Sequence, residues 1–177
     1  MNSRARSASG ATAATAALLL CLVPLASAAE PDWPLLSRPE LGFGIAMPAV
    51  PEHRDNLRDP ELFAGVEDFG VGLGDGFLMV SVFTFHPEKR ALLGEEEIFR
   101  LGEAMVPAGC TVEASRPLPG GPGAVVASDF ACADGGTLRY RMHLYGDRFY
   151  RLAAGGPRGV AESDAADRFF RSFALIE

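Results

Sequence analysis

Residues 77–85, FLMVSVFTF, decide the class of fold of this chain. Alternate side chains of an extended strand point to opposite faces of a sheet, so the two sets of positions can be judged separately. Both sets are apolar: Phe77, Met79, Phe83 and Phe85 on one face, and Leu78, Val80 and Val82 on the other. A strand with one solvated face would alternate apolar and polar residues. We therefore predict a central strand, with helices or long loops on both sides of its sheet.

A second strand is predicted over residues 62–71, directly before this segment. The glycine-rich stretch 72–76 (GLGDG) joins the two strands as a hairpin turn. This turn superficially resembles a phosphate-binding loop. Neither a Gly-Lys-Ser/Thr sequence nor a predicted helix follows it, so the hairpin is the better interpretation.

The rest of the chain predicts an antiparallel meander between two helices. Residues 95–106 start with three glutamates, which suit a helix N-terminus, and continue with apolar residues at helical spacing. Short linkers then separate four strands, at residues 110–116, 124–132, 137–145 and 148–154. A last helix begins after Ser163, a favourable N-cap. The expected fold class is α+β, an antiparallel sheet flanked by helices.

The turn Gly146-Asp147 leaves the register of its hairpin open. A two-residue turn would place Tyr150 and Leu152 on the same face as Arg141 and His143. The remaining apolar side chains of the preceding strand would then lie on the opposite face. A one-residue bulge or a three-residue loop would bring all the apolar groups together. We predict the bulged turn.

Cys110 and Cys132 are predicted to form a disulfide across a hairpin. They are symmetric about Gly121, which is also the middle of the turn LPGGPG at residues 118–123. The same register pairs Val112 with Phe130, and further along Ala114 with Ser128. Directly opposed residues of an antiparallel pair come within disulfide reach. The alternative is two buried free thiols.

Residues 1–28 have the order of a secretory signal peptide. Arg4 and Arg6 precede an apolar run at residues 11–26, and Ala26-Ser27-Ala28 offers a cleavage site. The run is too short to span a bilayer, so no stable membrane insertion is expected after cleavage. We expect a periplasmic or secreted protein with an extended segment at 29–40 and a single α+β domain at 41–177.

The charge of the chain excludes some classes of partner. The sequence carries a net charge of −7, from 16 basic and 23 acidic residues. Since Arg4 and Arg6 would leave with the signal peptide, 14 basic residues would face 23 acidic ones, a net charge of −9. Such a chain is not expected to bind nucleic acid or an anionic membrane surface as a whole.

No catalytic, cofactor-binding or metal-binding motif is found. The histidines are His53, His86 and His143, none of them four residues from another, and no Cys-x-x-Cys or Gly-x-Ser-x-Gly occurs. We expect no catalytic residue, no cofactor and no metal. An enzyme is the less favoured hypothesis, although residues distant in sequence can meet in space.

A cationic segment between residues 138 and 158 is the candidate binding patch. Tyrosines are interleaved with its basic side chains, and both Arg and Tyr are enriched at binding hot spots. The expected partner is an unknown protein or an anionic small molecule. The alternative is a solvated outer face of the sheet. The residues of the candidate patch are Arg139, Arg141, His143, Arg148 and Arg151.

Three features together resemble a known family. They are the strand FGIAMP at residues 43–48, the long meander, and the late stretch DRFYRLAAGGP…ADRFFRSF within residues 147–173. These resemble small exported bacterial proteins with the PsbP-like fold, an α/β sandwich. That fold is shared with a nuclear Ran-binding import factor and an extrinsic photosystem subunit. The resemblance implies an accessory or binding role and transfers no active-site residue.

The sequence therefore favours an exported, non-catalytic accessory or protein-binding domain of the bacterial envelope. Two other hypotheses stay open. A small-ligand carrier would need an apolar pocket between helix and sheet, and a hydrolase-type enzyme would need converging His, Asp or Glu side chains.

Overall fold

Ten strands, three α-helices and one short 3-10 helix (Pro39–Leu41) are found in residues 32–56, 59–120, 122–157 and 159–176, the part of the chain that the computed structural model describes. The predicted signal peptide and Gly121 lie outside these residues. The strands are β1 (Leu35–Arg38), β2 (Phe43–Ala46), β3 (Glu52–Asp55), β4 (Phe63–Leu73), β5 (Gly76–Phe85), β6 (Cys110–Pro117), β7 (Ala124–Cys132), β8 (Thr137–Tyr145), β9 (Arg148–Gly156) and β10 (Ala174–Leu175). The helices are α1 (Pro87–Arg90), α2 (Glu95–Ala104) and α3 (Asp164–Ser172).

Seven strands form one large antiparallel sheet in the order β3-β4-β5-β9-β8-β7-β6. The predicted meander runs from β6 to β9. The connection from β5 to β6 carries α1 and α2 and crosses to the far edge of the sheet. In a smaller sheet, in the order β1-β2-β10, β2 pairs on one side with β1, from the segment before residue 41, and on the other with β10, near the C-terminal end.

Both faces of the large sheet are covered, as residues 77–85 predicted. On one face, which we call the α3 face, Leu78, Val80 and Val82 pack beneath α3 and the small sheet. On the other, the α2 face, Phe83 and Phe85 belong to a core beneath α2. The expected α+β class, an antiparallel sheet flanked by helices, is confirmed.

Helix α2 packs closely on the sheet through a glycine. A Cβ atom at Gly102 would lie 2.5 Å from Cζ of Phe149 and 2.7 Å from Sδ of Met142. Ile98 and Phe99 are buried beside it. The helix begins with a capping interaction in which the Glu97 carboxylate accepts from the Gly94 amide at 2.9 Å.

The turn between β8 and β9 does not contain the predicted bulge. Tyr145 pairs with Arg148 and Leu144 with Phe149, so Gly146-Asp147 is a two-residue turn and the bulged turn is wrong. The bulge was invoked to bring all the apolar side chains to one face. Since both faces are buried, the apolar groups of this hairpin are divided between two cores, and no bulge is needed.

Cys110 and Cys132 are joined in the predicted disulfide, with their Cα atoms 3.9 Å apart. The predicted pairing of Val112 with Phe130 is also found. Beyond it, an extra residue in β6 shifts the register between Val112 and Ala114. Ala114 therefore lies opposite Asp129, and its predicted pairing with Ser128 is wrong.

Replacing Gly102 by alanine is expected to destabilise the protein by about 1–3 kcal/mol, because the new methyl group overpacks the contact with Phe149. This cost opposes the gain in helix propensity, about 1 kcal/mol. Chemical denaturation measures the difference. Gly72→Ala is the matched control, since nothing lies within 4 Å of a Cβ atom at that position. A Gly102→Ala variant as stable as the wild type would contradict the close packing.

Removing the disulfide is expected to cost about 3 kcal/mol of unfolding free energy in the chain-entropy model, given the separation of 22 residues. Denaturation of a Cys110→Ser/Cys132→Ser variant measures this. A reducing agent should lower the stability of the wild type to that of the variant and leave the variant unchanged. Equal stability of the two proteins without reductant would refute a structural role for the bridge.

Candidate functional site

Basic side chains lie in two cross-strand rows on the α3 face, where β6, β7 and β8 meet. In one row, Arg139 on β8 lies opposite Asp129 on β7. In the next row, Arg141 lies opposite Ala127, which in turn lies opposite Arg116 on β6. Neighbouring strands are about 4.8 Å apart, so the long side chains of both rows reach one another.

Arg139 attaches α3 to the sheet. Its Nη1 donates to the Asp167 carboxylate at 3.0 Å and to the carbonyl oxygen of Ala161 at 2.8 Å. The Asp129 carboxylate lies 3.6 Å from its Nε. With two carboxylates and a carbonyl around it, this guanidinium is satisfied inside the protein.

Arg141 has no such carboxylate. Its Nη1 donates to the carbonyl oxygen of Phe170 at 3.2 Å, near the C-terminal end of α3, and its guanidinium lies 5.3 Å from the centroid of the Phe170 ring. Within the described part of the chain, no acidic group lies within 4.0 Å of it. Burial lowers the pKa of Arg141, and the positive charges of Arg139, Arg116 and Arg171 contribute to the lowering. The negative charge of Asp167 opposes it.

A small cavity of about 30 Å³ opens above Ala127, between Arg116 and Arg141. The Phe170 side chain lines one side of it. Arg116 donates from Nη1 to Asp129 at 3.0 Å, and 54% of its side chain remains exposed. We call this cavity, with Arg116, Arg139, Arg141 and Asp129 around it, the arginine slot.

The slot and its surroundings are positively charged in a chain of net charge −7. Four arginines interact here with two aspartates, and the arginines are in excess. Such an arrangement can hold an anion through charge-assisted hydrogen bonds. The groups are Arg116, Arg139, Arg141, Arg171, Asp129 and Asp167.

His143, predicted to join the binding patch, is half-buried on the α3 face. Its ring lies 4.6 Å from that of Phe173, and its Nε2 atom is buried with no hydrogen-bond partner among the described residues. Burial, with a smaller effect of the Arg141 charge, lowers the pKa of His143 to about 4. The neutral imidazole is therefore the form that the fold accommodates.

The other two residues of the predicted patch lie elsewhere. Arg148 is on the α3 face but further along, where it donates to the carbonyl oxygen of Glu40 at 2.9 Å. Arg151 is on the α2 face, because the two-residue turn sets its register. It is buried and donates to the carbonyl oxygen of Met105 at 3.2 Å, just beyond α2. The structure thus groups Arg139 and Arg141, and it separates Arg151 from them.

Arg116 belongs to the slot but was not among the predicted residues. The symmetric register would place it opposite Val126, which lies on the α2 face. The extra residue in β6 moves it opposite Ala127, on the α3 face. No signal in the sequence marks this bulge, which inserts one residue on an exposed edge strand.

Among the described residues, one cluster has side chains of the metal-ligand type: His53, Asp55 and Glu67. Nε2 of His53 lies 3.0 Å from the Glu67 carboxylate and 3.4 Å from that of Asp55. Arg38 reaches Glu67 at 3.5 Å as well. Hydrogen bonds and contacts within the chain account for this arrangement.

A groove of about 690 Å³ lies beside the disulfide at one end of the large sheet. Phe77 and Leu138 line it, together with the backbone of the turn at residues 133–136. This groove is where a small apolar ligand would find room if the protein were a carrier.

No protein-family model and no curated protein sequence matches the chain. Thirteen chains of solved structures are similar to it in fold. One is the solution structure of cyanobacterial PsbP (CyanoP) from Synechocystis sp. PCC 6803, with a TM-score of 0.57 over 87% of this chain and 98% of that one. The chain has a PsbP-like fold.

The PsbP-like fold accounts for the large sheet between helices and for the order of the elements. Only 10% of the residues are identical to those of CyanoP, so the likeness concerns the fold and identifies no functional residue. Within the described residues, no helix is long and apolar enough to cross a membrane.

Stability below neutral pH should depend on His143. Since its pKa is about 4 in the folded protein and about 6.5 when unfolded, the unfolded state binds more protons between these values. Stability should therefore fall as the pH drops below 6.5 and level off below 4.

His143→Gln removes this titration. Between pH 7 and pH 5 the wild type should lose about 2 kcal/mol more unfolding free energy than the variant. Chemical denaturation at the two pH values measures the difference, and His86→Gln controls for the loss of a histidine at a more exposed position. If wild type and His143→Gln lost the same unfolding free energy between the two pH values, the fold would not hold the imidazole in its neutral form.

Proposed function

We propose that the protein is an exported, non-catalytic accessory domain of the bacterial envelope that binds an anionic group of a partner in the arginine slot. The observation that carries this proposal is Arg141. Its guanidinium is partly buried beside Arg139 and Arg116, and no carboxylate of the described residues lies within 4.0 Å of it. Asp167 acts on it only from a greater distance. An anion from outside would supply the missing charge.

Two features support export. The sequence at residues 1–28 has the three parts of a secretory signal peptide. The disulfide between Cys110 and Cys132 fits an oxidising compartment such as the periplasm, because cytosolic thiols are kept reduced.

An accessory role is supported by the kind of site present. The slot offers hydrogen-bond donors and positive charge, which suit recognition of a partner. The resemblance to PsbP-like proteins points in the same direction, since it implies binding more than catalysis.

The rest of the charge distribution bears on the type of partner. After loss of Arg4 and Arg6 the chain would carry a charge of −9, which repels polyanions such as nucleic acids and anionic membranes. A single anionic group can enter the slot without bringing an extended negative surface against the protein. The partner is therefore a protein or a small molecule with a localised negative charge.

Capture from a Gram-negative envelope extract tests this function. Wild-type protein should retain a partner that Arg141→Gln loses, since removing a charge-assisted hydrogen bond lowers affinity by roughly tenfold to a hundredfold. Gln at this position keeps a neutral N–H donor while removing the charge.

Arg100→Gln is the matched control. It removes the same charge from the opposite side of the sheet, where Arg100 pairs with Glu96 on the surface of α2. This variant should capture the partner like the wild type. If wild type and Arg141→Gln capture the same proteins and small molecules, the slot is not the binding site and the proposal fails.

A further inference from the structure

We propose that the arginine slot recognises a carboxylate, which takes the place above Ala127 that an aspartate holds in the neighbouring row. This inference rests on the proposed function, because it names the chemistry of the anion that the slot binds.

The two cross-strand rows differ in one respect. In the first, Arg139 faces Asp129, so the chain itself supplies a carboxylate. In the second, Arg141 and Arg116 both face Ala127, whose methyl group supplies none. The first row thus contains a carboxylate of its own and the second does not, although Asp129 of the first row also accepts from Arg116 and lines the same cavity. A carboxylate over Ala127 would make the second row like the first.

Hydrogen-bond donors remain for such a ligand. A guanidinium has five N–H donors. The described residues give Arg141 one acceptor, the carbonyl oxygen of Phe170, and give Arg116 one, the carboxylate of Asp129. Both side chains can therefore donate to a shared anion between them.

The size and shape of the slot favour a carboxylate over a tetrahedral anion. Its volume of about 30 Å³ holds about two atoms of the size of a water oxygen. A carboxylate has two oxygens in a plane, whereas phosphate and sulfate have four. The centroid of the Phe170 ring lies 5.3 Å from the guanidinium carbon of Arg139 and of Arg141. This contact restrains the orientation of each guanidinium plane, and a fixed plane favours bidentate pairing with a carboxylate.

The side-chain N–H resonances of arginine report binding directly. In NMR titrations of the purified protein at constant ionic strength, acetate should shift the Arg141 and Arg116 Nε–Hε signals in a saturable way. Inorganic phosphate at the same concentration should leave them in place. Arg141→Gln should weaken acetate binding at least about tenfold, while Arg100→Gln should bind like the wild type.

The same experiment distinguishes a carboxylate on a protein partner from one on a small carboxylic acid. N-acetyl-Gly-Glu-Gly-amide carries one side-chain carboxylate, and its Gln counterpart carries none. Tighter binding of the Glu peptide than of acetate indicates a protein partner, and equal binding indicates a small carboxylic acid. Either result supports the inference, provided that the Gln peptide does not bind.

Ala127→Asp gives an independent test, because it supplies the missing carboxylate from the chain. The variant should unfold at a higher temperature than the wild type and should no longer bind acetate. Ala127→Asn, which has nearly the same shape and no charge, should gain no stability. If Ala127→Asp unfolds at a lower temperature than Ala127→Asn, the space above Ala127 does not favour a carboxylate.

The outcomes distinguish this inference from the proposed function. If phosphate shifts the arginine signals as strongly as acetate, the slot binds anions without preference for a carboxylate, and only the inference fails. If neither anion shifts them and Arg141→Gln captures the same partners as the wild type, both fail. Should Ala127→Asp not fold, the comparison of acetate with phosphate in the wild type decides alone.

Discussion

Because both faces of the seven-stranded sheet are covered, polar side chains in its central strands depend on partners inside the protein. The buried Nε2 atom of His143 is an exception, with no partner among the described residues. Tyr150 donates to the carbonyl oxygen of Leu41, and in this way the sheet holds the chain that leads into β2. Arg151 donates to the carbonyl oxygen beyond α2, and Arg141 to one near the end of α3. Arginines of the sheet thus interact with the C-terminal ends of both covering helices, where unsatisfied carbonyl oxygens are found.

The main elements could be predicted because their signals are local. An apolar segment of nine residues indicated two buried faces, Ser163 indicated the start of α3, and short linkers indicated the meander. The small sheet could not be predicted in this way, since β1 and β10 pair with β2 from opposite ends of the described chain. Such pairings depend on contacts distant in sequence, and neither short strand has a pattern of its own.

The candidate site was predicted in part, and the reason lies in register. Arg139 and Arg141 alternate along one strand, so their shared face follows from the period of two. Predicting the face of Arg151 required the length of the turn between β8 and β9. The assumption that the apolar side chains gather on one face gave the wrong length, and so the wrong face for Arg151. Arg116 required knowledge of a bulge. The sequence therefore indicated the kind of side chain that forms the site. The face of the sheet on which each side chain lies depended on the length of one turn and on one extra residue in β6.

The extra residue in β6 has a consequence for how such a site can arise or disappear. If β6 kept all its residues but paired with β7 without this bulge, starting from the disulfide, Arg116 would lie opposite Val126 on the α2 face. Every side chain of the site would remain in the sequence, yet one of its charges would be on the other side of the sheet. In a lineage of related chains, gain or loss of such a site could therefore follow a change in strand register at an exposed edge, without replacement of any residue of the site. Comparison of homologues by residue identity alone would overlook it.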